Sequence, residues 1–159
     1  MPSPFATLVR PSLSPRAWMR PTVCGLRGHA SRQWVMRPTL ACAPRARAGV
    51  RVALRCRGVP ADLEDMLLLA VTELVSNVVR HAVTDWLCAA ITFGRDWIQL
   101  DVGDGDPALP GVGSEVDVEA EGGRGLFIVD LLVADASGVV NVFPCGSGKV
   151  VRVRVPAPR

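Results

Sequence analysis

The run Leu69-Ala-Val-Thr-Glu-Leu-Val-Ser-Asn-Val-Val-Arg-His-Ala82 constrains the fold more than any other part of the chain. At a helical advance of about 100° per residue, Glu73, Asn77 and His81 share one edge of a helix. Leu67, Leu68, Val71, Leu74, Val75, Val78, Val79 and Ala82 fall on the other side. Burying that side would hold the helix still and leave an acid, an amide and an imidazole on one rigid support. A solvated helix face carries the same pattern, so the segments downstream decide between the two readings.

A chain of 159 residues is enough for one domain with a core that needs neither disulfides nor metal. Its net charge of +3 hides an asymmetry: residues 1–50 carry eight Arg and no acid, while residues 51–159 carry ten basic and fifteen acidic residues. An acidic folded part without a basic stripe argues against direct nucleic-acid binding, whose affinity comes largely from phosphate contacts. Five widely spaced cysteines with no Cys-x-x-Cys pair suggest neither a zinc site nor a disulfide framework, which fits a reducing cytoplasm. No apolar run approaches the roughly 18 residues of a membrane span, and the start lacks the apolar segment of a secretory signal.

Residues 1–30 mix Pro, Ser, Arg and Gly without apolar period, the composition of a disordered basic tail. Such a tail is either an arm for an acidic partner or a dispensable extension. A single folded domain is expected over residues 31–159. Gln33–Leu40 reads as an edge strand, with Pro38 restricting its place in a sheet. Pro44 suits the first turn of a helix through Val50, Val52, Ala53 and Leu54, closed by Gly58. Asp62 reads as the N-cap of the next helix, which runs to Ala82. Then come strands Leu87–Phe93 and Trp97–Val102 around Gly94-Arg-Asp96, and a long polar stretch, 104–123, of the kind that forms lids. A short helix Leu126–Val133 and a hairpin of Val139–Phe143 with Lys149–Val155 follow. This order predicts an α+β two-layer sandwich, a mostly antiparallel mixed sheet covered on one face by helices.

Two further segments carry chemistry. In Asp101-Val-Gly-Asp-Gly-Asp-Pro107 a strand runs into glycines with acids at its exit, where a carboxylate can accept from a ligand's exocyclic amino group. Alternation with Ile98, Leu100 and Val102 directs Asp104 to the covered side and Asp101 away from it. In Glu121-Gly-Gly-Arg-Gly-Leu-Phe-Ile-Val129 glycines open a helix, whose unsatisfied N–H groups and positive dipole end suit phosphates. Arg124 could add a phosphate contact or face solvent. Gly146-Ser-Gly-Lys149 fails the Walker spacing and reads as a hairpin turn, with Lys149 a candidate phosphate neighbour.

Together these segments resemble the histidine kinase, gyrase and heat-shock-chaperone (Bergerat fold) ATPase superfamily. Glu73-Leu-Val-Ser-Asn77 resembles its N box, Asp104 with Gly105 its first glycine box, and Gly122-Gly-Arg-Gly-Leu126 its second. The small size is similar to the anti-sigma factor serine kinase branch. The resemblance implies ATP and Mg²⁺ as cofactors, with Asn77 as metal ligand and Glu73 as catalytic base. It implies that Asp104 and Gly105 bind the adenine, and that Gly122, Gly123, Arg124, Gly125 and Leu126 lie along the phosphates. His81 falls near the nucleotide, where a structural role is an equal alternative. The first glycine box departs from the common pattern, since Asp106 and Ala108 stand where glycines follow the Asp. The implied function is a Mg-ATP-dependent serine/threonine protein kinase acting on a small anti-anti-sigma-like regulator. The alternative is a non-catalytic nucleotide-dependent module that sequesters a sigma factor or other regulator. Expected partners are a regulatory protein and a sigma factor, with room for a homodimer.

Overall fold

The computed structural model describes residues 30–108 and 123–158. The expected basic tail, apart from Ala30, and most of the expected lid, including Gly122, lie outside the described residues. The elements run β1 (Ala30–Met36), α1 (Cys42–Arg55), α2 (Ala61–His81), β2 (Leu87–Phe93), β3 (Trp97–Asp104), α3 (Gly123–Asp135), β4 (Val139–Cys145) and β5 (Gly148–Pro156). The strands form one sheet in the order β1-β2-β3-β5-β4, and every described pairing is antiparallel. This is the α+β sandwich that the element order predicts, without the mixed pairing it allowed.

Period-2 alternation decides which face meets the helices. Leu87, Ala89 and Ile91 of β2, Ile98, Leu100 and Val102 of β3, and Val151, Val153 and Val155 of β5 enter one core. Leu67, Leu68, Val71, Leu74, Val75 and Val78 of α2 close it from above, with Ala46, Val50, Ala53 and Leu54 of α1 and Val129 and Val133 of α3. Each such Val or Leu contributes about 1.5–3 kcal/mol on burial, so α2, with six of them, is the element the sheet holds most firmly. Gly49 lets α1 lie against β1, because a Cβ there would meet the Trp34 ring at 2.5 Å.

The outer face of the sheet is polar and internally paired. Arg152 forks onto Asp101 at 2.8 and 3.1 Å, and Gln99 donates to the same carboxylate at 2.7 Å. Arg152 also lies 5.2 Å from the Phe143 ring, and Arg154 lies 4.5 Å from that of Trp97.

Several boundaries differ from the sequence reading. The first strand begins at Ala30 and ends at Met36, because Pro38 and Thr39 already belong to the entry of α1, where Cys42 N–H donates to the Thr39 carbonyl at 2.9 Å. Pro44 does sit in the first turn of α1, where its missing N–H costs nothing. Asp62 is not an N-cap: Pro60 holds that position, and Asp62 and Glu64 lie in the first turn of α2 at the positive end of its dipole. Gly58 closes the turn after α1 at φ +64, donating to the Arg55 carbonyl at 3.1 Å.

Candidate functional site

The polar edge of α2 is not a fully solvated face. Glu73 and Asn77 are half-buried on its second half, whereas His81, its last residue, is exposed. Glu73 is held against the opening of α3, since a Cβ on Gly125 would collide with the Glu73 carboxylate and come within 2.8 Å of its Cδ. Gly125 therefore lets two helices approach until a carboxylate touches backbone. The amide nitrogen of Asn77 is buried with no hydrogen-bond partner. A buried amide without a partner costs about 1–3 kcal/mol, and a ligand or its bound water removes that cost.

The second part of the site is the exit of β3. Asp104 continues the row of Ile98, Leu100 and Val102 and is 2% exposed, facing the covered side. Asp101, on the other face, is committed to Arg152. The N–H of Asp106 donates to Asp104 Oδ1 at 2.8 Å. Gly105 N–H donates to Thr84 Oγ1 at 2.9 Å, and a Cβ on Gly105 would meet Thr84 Oγ1 and Trp86 Nε1 at 2.9 Å. Val83 N–H donates to Asp106 Oδ2 at 2.9 Å. The segment leaving α2 is thus latched to the segment leaving β3. Backbone N–H groups of Val83 and then Ala108 hold the Asp106 carboxyl below its usual range, with a smaller pull from Lys149.

Lys149 enters the same place from β5. It pairs in register with Asp104, its ammonium lies 3.1 Å from Asp104 Oδ1, and it donates to the Asp106 carbonyl at 3.0 Å. Gly148 makes this approach feasible, since any Cβ there would collide with the Asp104 carbonyl oxygen. The sequence reading gave Lys149 only to a turn beside phosphates, and the signal that places it better is alternation. Val151, Val153 and Val155 face the core, so Lys149 shares their side.

The third part is the start of α3. Gly123 and Arg124 open the helix, Gly125 receives Glu73, and Leu126 packs on the core. The Arg124 side chain and Gly122 lie outside the described residues. The fold thus brings Glu73 to Gly125, and it brings Asp104 and Gly105 to the loop after α2. Among the described residues no cluster of three His, Cys, Asp or Glu could hold a metal ion. A divalent cation fits here with Asn77 as an oxygen ligand and phosphates and water supplying the rest, as Mg²⁺ prefers. The orphaned Asn77 Nδ2 is a donor and suits a phosphate oxygen or a metal-bound water, which leaves the amide oxygen for the ion.

An antiparallel sheet under helices, with an acid and an amide on its best-buried helix and glycines opening another helix beside them, is the build of an ATP-binding sandwich. Residues 36–154 match the model of the histidine kinase-like ATPase domain, and the chain belongs to that family. Among solved structures it is similar to the Acinetobacter baumannii histidine kinase AdeS, at 12% identity and TM-score 0.52, over 80% of this chain and 68% of that one. It is also similar to the Erythrobacter litoralis EL346 blue-light activated histidine kinase, at 20% identity and TM-score 0.50, over 76% of this chain and 42% of that one. The histidine kinase domain of the EL346 protein matches at 20% identity and TM-score 0.49, over 74% of this chain, which spans 60% of that domain's length. The first two likenesses describe the fold. No curated protein matches the chain. No helix among the described residues is long and apolar enough to cross a membrane.

Proposed function

We propose that this ATPase-family domain is a Mg-ATP-dependent serine/threonine protein kinase of the anti-sigma factor type, acting on a small regulatory protein. The observation that carries the reading is Glu73 packed on Gly125: a half-buried carboxylate stands where a glycine-opened helix offers its N–H groups to phosphates. Asp104 takes the exocyclic amino group of the base, and the first turn of α3 takes the phosphates. The substrate hydroxyl gives its proton to Glu73 as its oxygen bonds to the γ-phosphorus, the bridge to the β-phosphate breaks, and ADP leaves. Asn77 would hold Mg²⁺, which supplies charge neutralisation along the phosphates. His81 has no assigned step.

The alternative, a nucleotide-dependent module that sequesters a sigma factor or another regulator without catalysis, is favoured by one observation. Phe127, Ile128, Leu131 and Leu132 of α3 are exposed, an apolar stripe on the helix that touches the site.

Calorimetric titration of Mg-ATP into the full chain and into Glu73→Ala, Asn77→Ala and Asp104→Asn proteins, followed by γ-phosphate transfer to an anti-anti-sigma-like protein, separates the two. The kinase reading expects the Asn77 and Asp104 changes to weaken binding. It expects Glu73→Ala to bind ATP and lose transfer by about 100-fold or more. Tight binding with no transfer by the unmodified chain selects the sequestering module.

A further inference from the structure

We propose that Lys149 reads the nucleobase together with Asp104, donating a hydrogen bond to the ring nitrogen beside the exocyclic amine that Asp104 accepts from. The inference rests on the nucleotide reading above and names the residue that completes base selection. A lysine next to a hairpin turn ordinarily extends its ammonium to water while its stem lies on the surface. Lys149 instead sits on the core-facing row of β5, with a side chain only 10% exposed. It is fixed there by Asp104 Oδ1 at 3.1 Å and the Asp106 carbonyl at 3.0 Å. Stability alone is a weak reason for such a pair, because an apolar pair of similar volume is often as stable.

The hydrogen-bond inventory points to a ligand. An ammonium carries three protons, and the described contacts place two of those of Lys149. Asp104 Oδ1 already accepts from both Lys149 and the Asp106 N–H. Among the described residues, its second oxygen is therefore the one with capacity for an incoming donor. An acceptor and a donor set side by side, anchored across two paired strands, complement an edge that offers a donor next to an acceptor. The amino group and ring nitrogen N1 of adenine, its Watson–Crick edge, form such an edge. Gly148 holds the two strands at contact distance, so the pair is preorganised.

The test uses the full chain and two ligands, Mg-ATP and Mg-1-deaza-ATP, in which the ring nitrogen is replaced by C–H, titrated calorimetrically. The unmodified chain is expected to bind the deaza analogue about tenfold more weakly, the loss for a hydrogen bond to a charged donor. In Lys149→Met the two ligands are expected to bind within about twofold of each other, because the donor is gone. Equal affinities in the unmodified chain overturn the proposal without recourse to any variant. The same tenfold gap in Lys149→Met also overturns it, since the ring nitrogen would then be read by another group. Absence of binding for both ligands overturns the nucleotide reading itself and this inference with it.

Discussion

Gly125 has room for a hydrogen and nothing larger, which makes it a sensitive probe of the site. Alanine in a helix interior gains about 1 kcal/mol over glycine, while forcing a methyl group into a filled space costs about 1–3 kcal/mol. These oppose one another, so Gly125→Ala should change stability by no more than about 2 kcal/mol while pushing Glu73 out of place. Misplacement of a reacting group by about 1 Å costs up to 100-fold in rate. Phosphoryl transfer is expected to fall at least tenfold while the thermal melt drops by no more than about 10 °C, and parental transfer would show that Gly125 does not position Glu73. Cys88 gives a second residue-level prediction. Burial pushes its thiol up to about 12, against a smaller lowering by the Gln33 hydrogen bond and with a further raise from Asp101. The thiolate is the reactive form, so iodoacetamide at pH 8 should label exposed Cys56 in the native protein and reach Cys88 only on unfolding, as peptide mass mapping would reveal. Single residues were also where the sequence was hardest to read. Asp104 could be chosen over Asp101 by alternation alone, yet Lys149 stands beside a turn whose glycines pointed to loop chemistry. The Asp104–Lys149 pair spans strands far apart in sequence and announces itself only through register.

The elements were legible because each carries its own period. β2 keeps the bounds expected of it, and the apolar face of α2 is the face that is buried. Ends were harder, because they depend on backbone partners rather than on period. β3 reaches Asp104, and α3 starts at Gly123, because register with β5 and contact with Glu73 hold residues that look like loop. Gly58 tests one such end. Its φ of +64 leaves a Cβ with nothing within 4 Å, so Gly58→Ala should cost only the backbone term, about 1–2 kcal/mol by urea titration. The latch between α2 and β3 is testable by pH. The Asp106 carboxyl is depressed in the folded protein below its ordinary value of 3.8 by the N–H groups of Val83 and Ala108. Stability from this latch is therefore fully present above that value and is lost as pH falls through the lower folded one. The amide resonance of Val83 should report this by NMR, moving only below pH 3.8, and in Asp106→Asn the acid-dependent shift should vanish.

The whole molecule sets its chemistry against the side of the sheet that holds the helices. Its outer face saturates its own charges, with Asp101, Gln99, Arg152 and Arg154 bonded to one another. What the sequence could not convey at this level is convergence. Three segments distant in the chain meet only because α2 lies over β2 and β3, while α3 returns beside it over β4 and β5 to touch Glu73. Charge asymmetry supplies the last prediction. The eight arginines of residues 1–50 include four before Ala30, where β1 begins, whereas every residue of the described core lies between Cys42 and Val155. A chain starting at Ala30 keeps all of that core and every strand pairing, so we expect its urea stability to match the full chain within about 0.5 kcal/mol, the range of changes that touch no packed feature. Mg-ATP affinity should be equal in the two chains, while affinity for an acidic protein partner should fall in the shorter one and weaken with salt in the longer one. A shorter chain that fails to fold would mean that residues 1–29 complete the core, and a shorter chain that folds but loses ATP would place part of the nucleotide site in the basic segment.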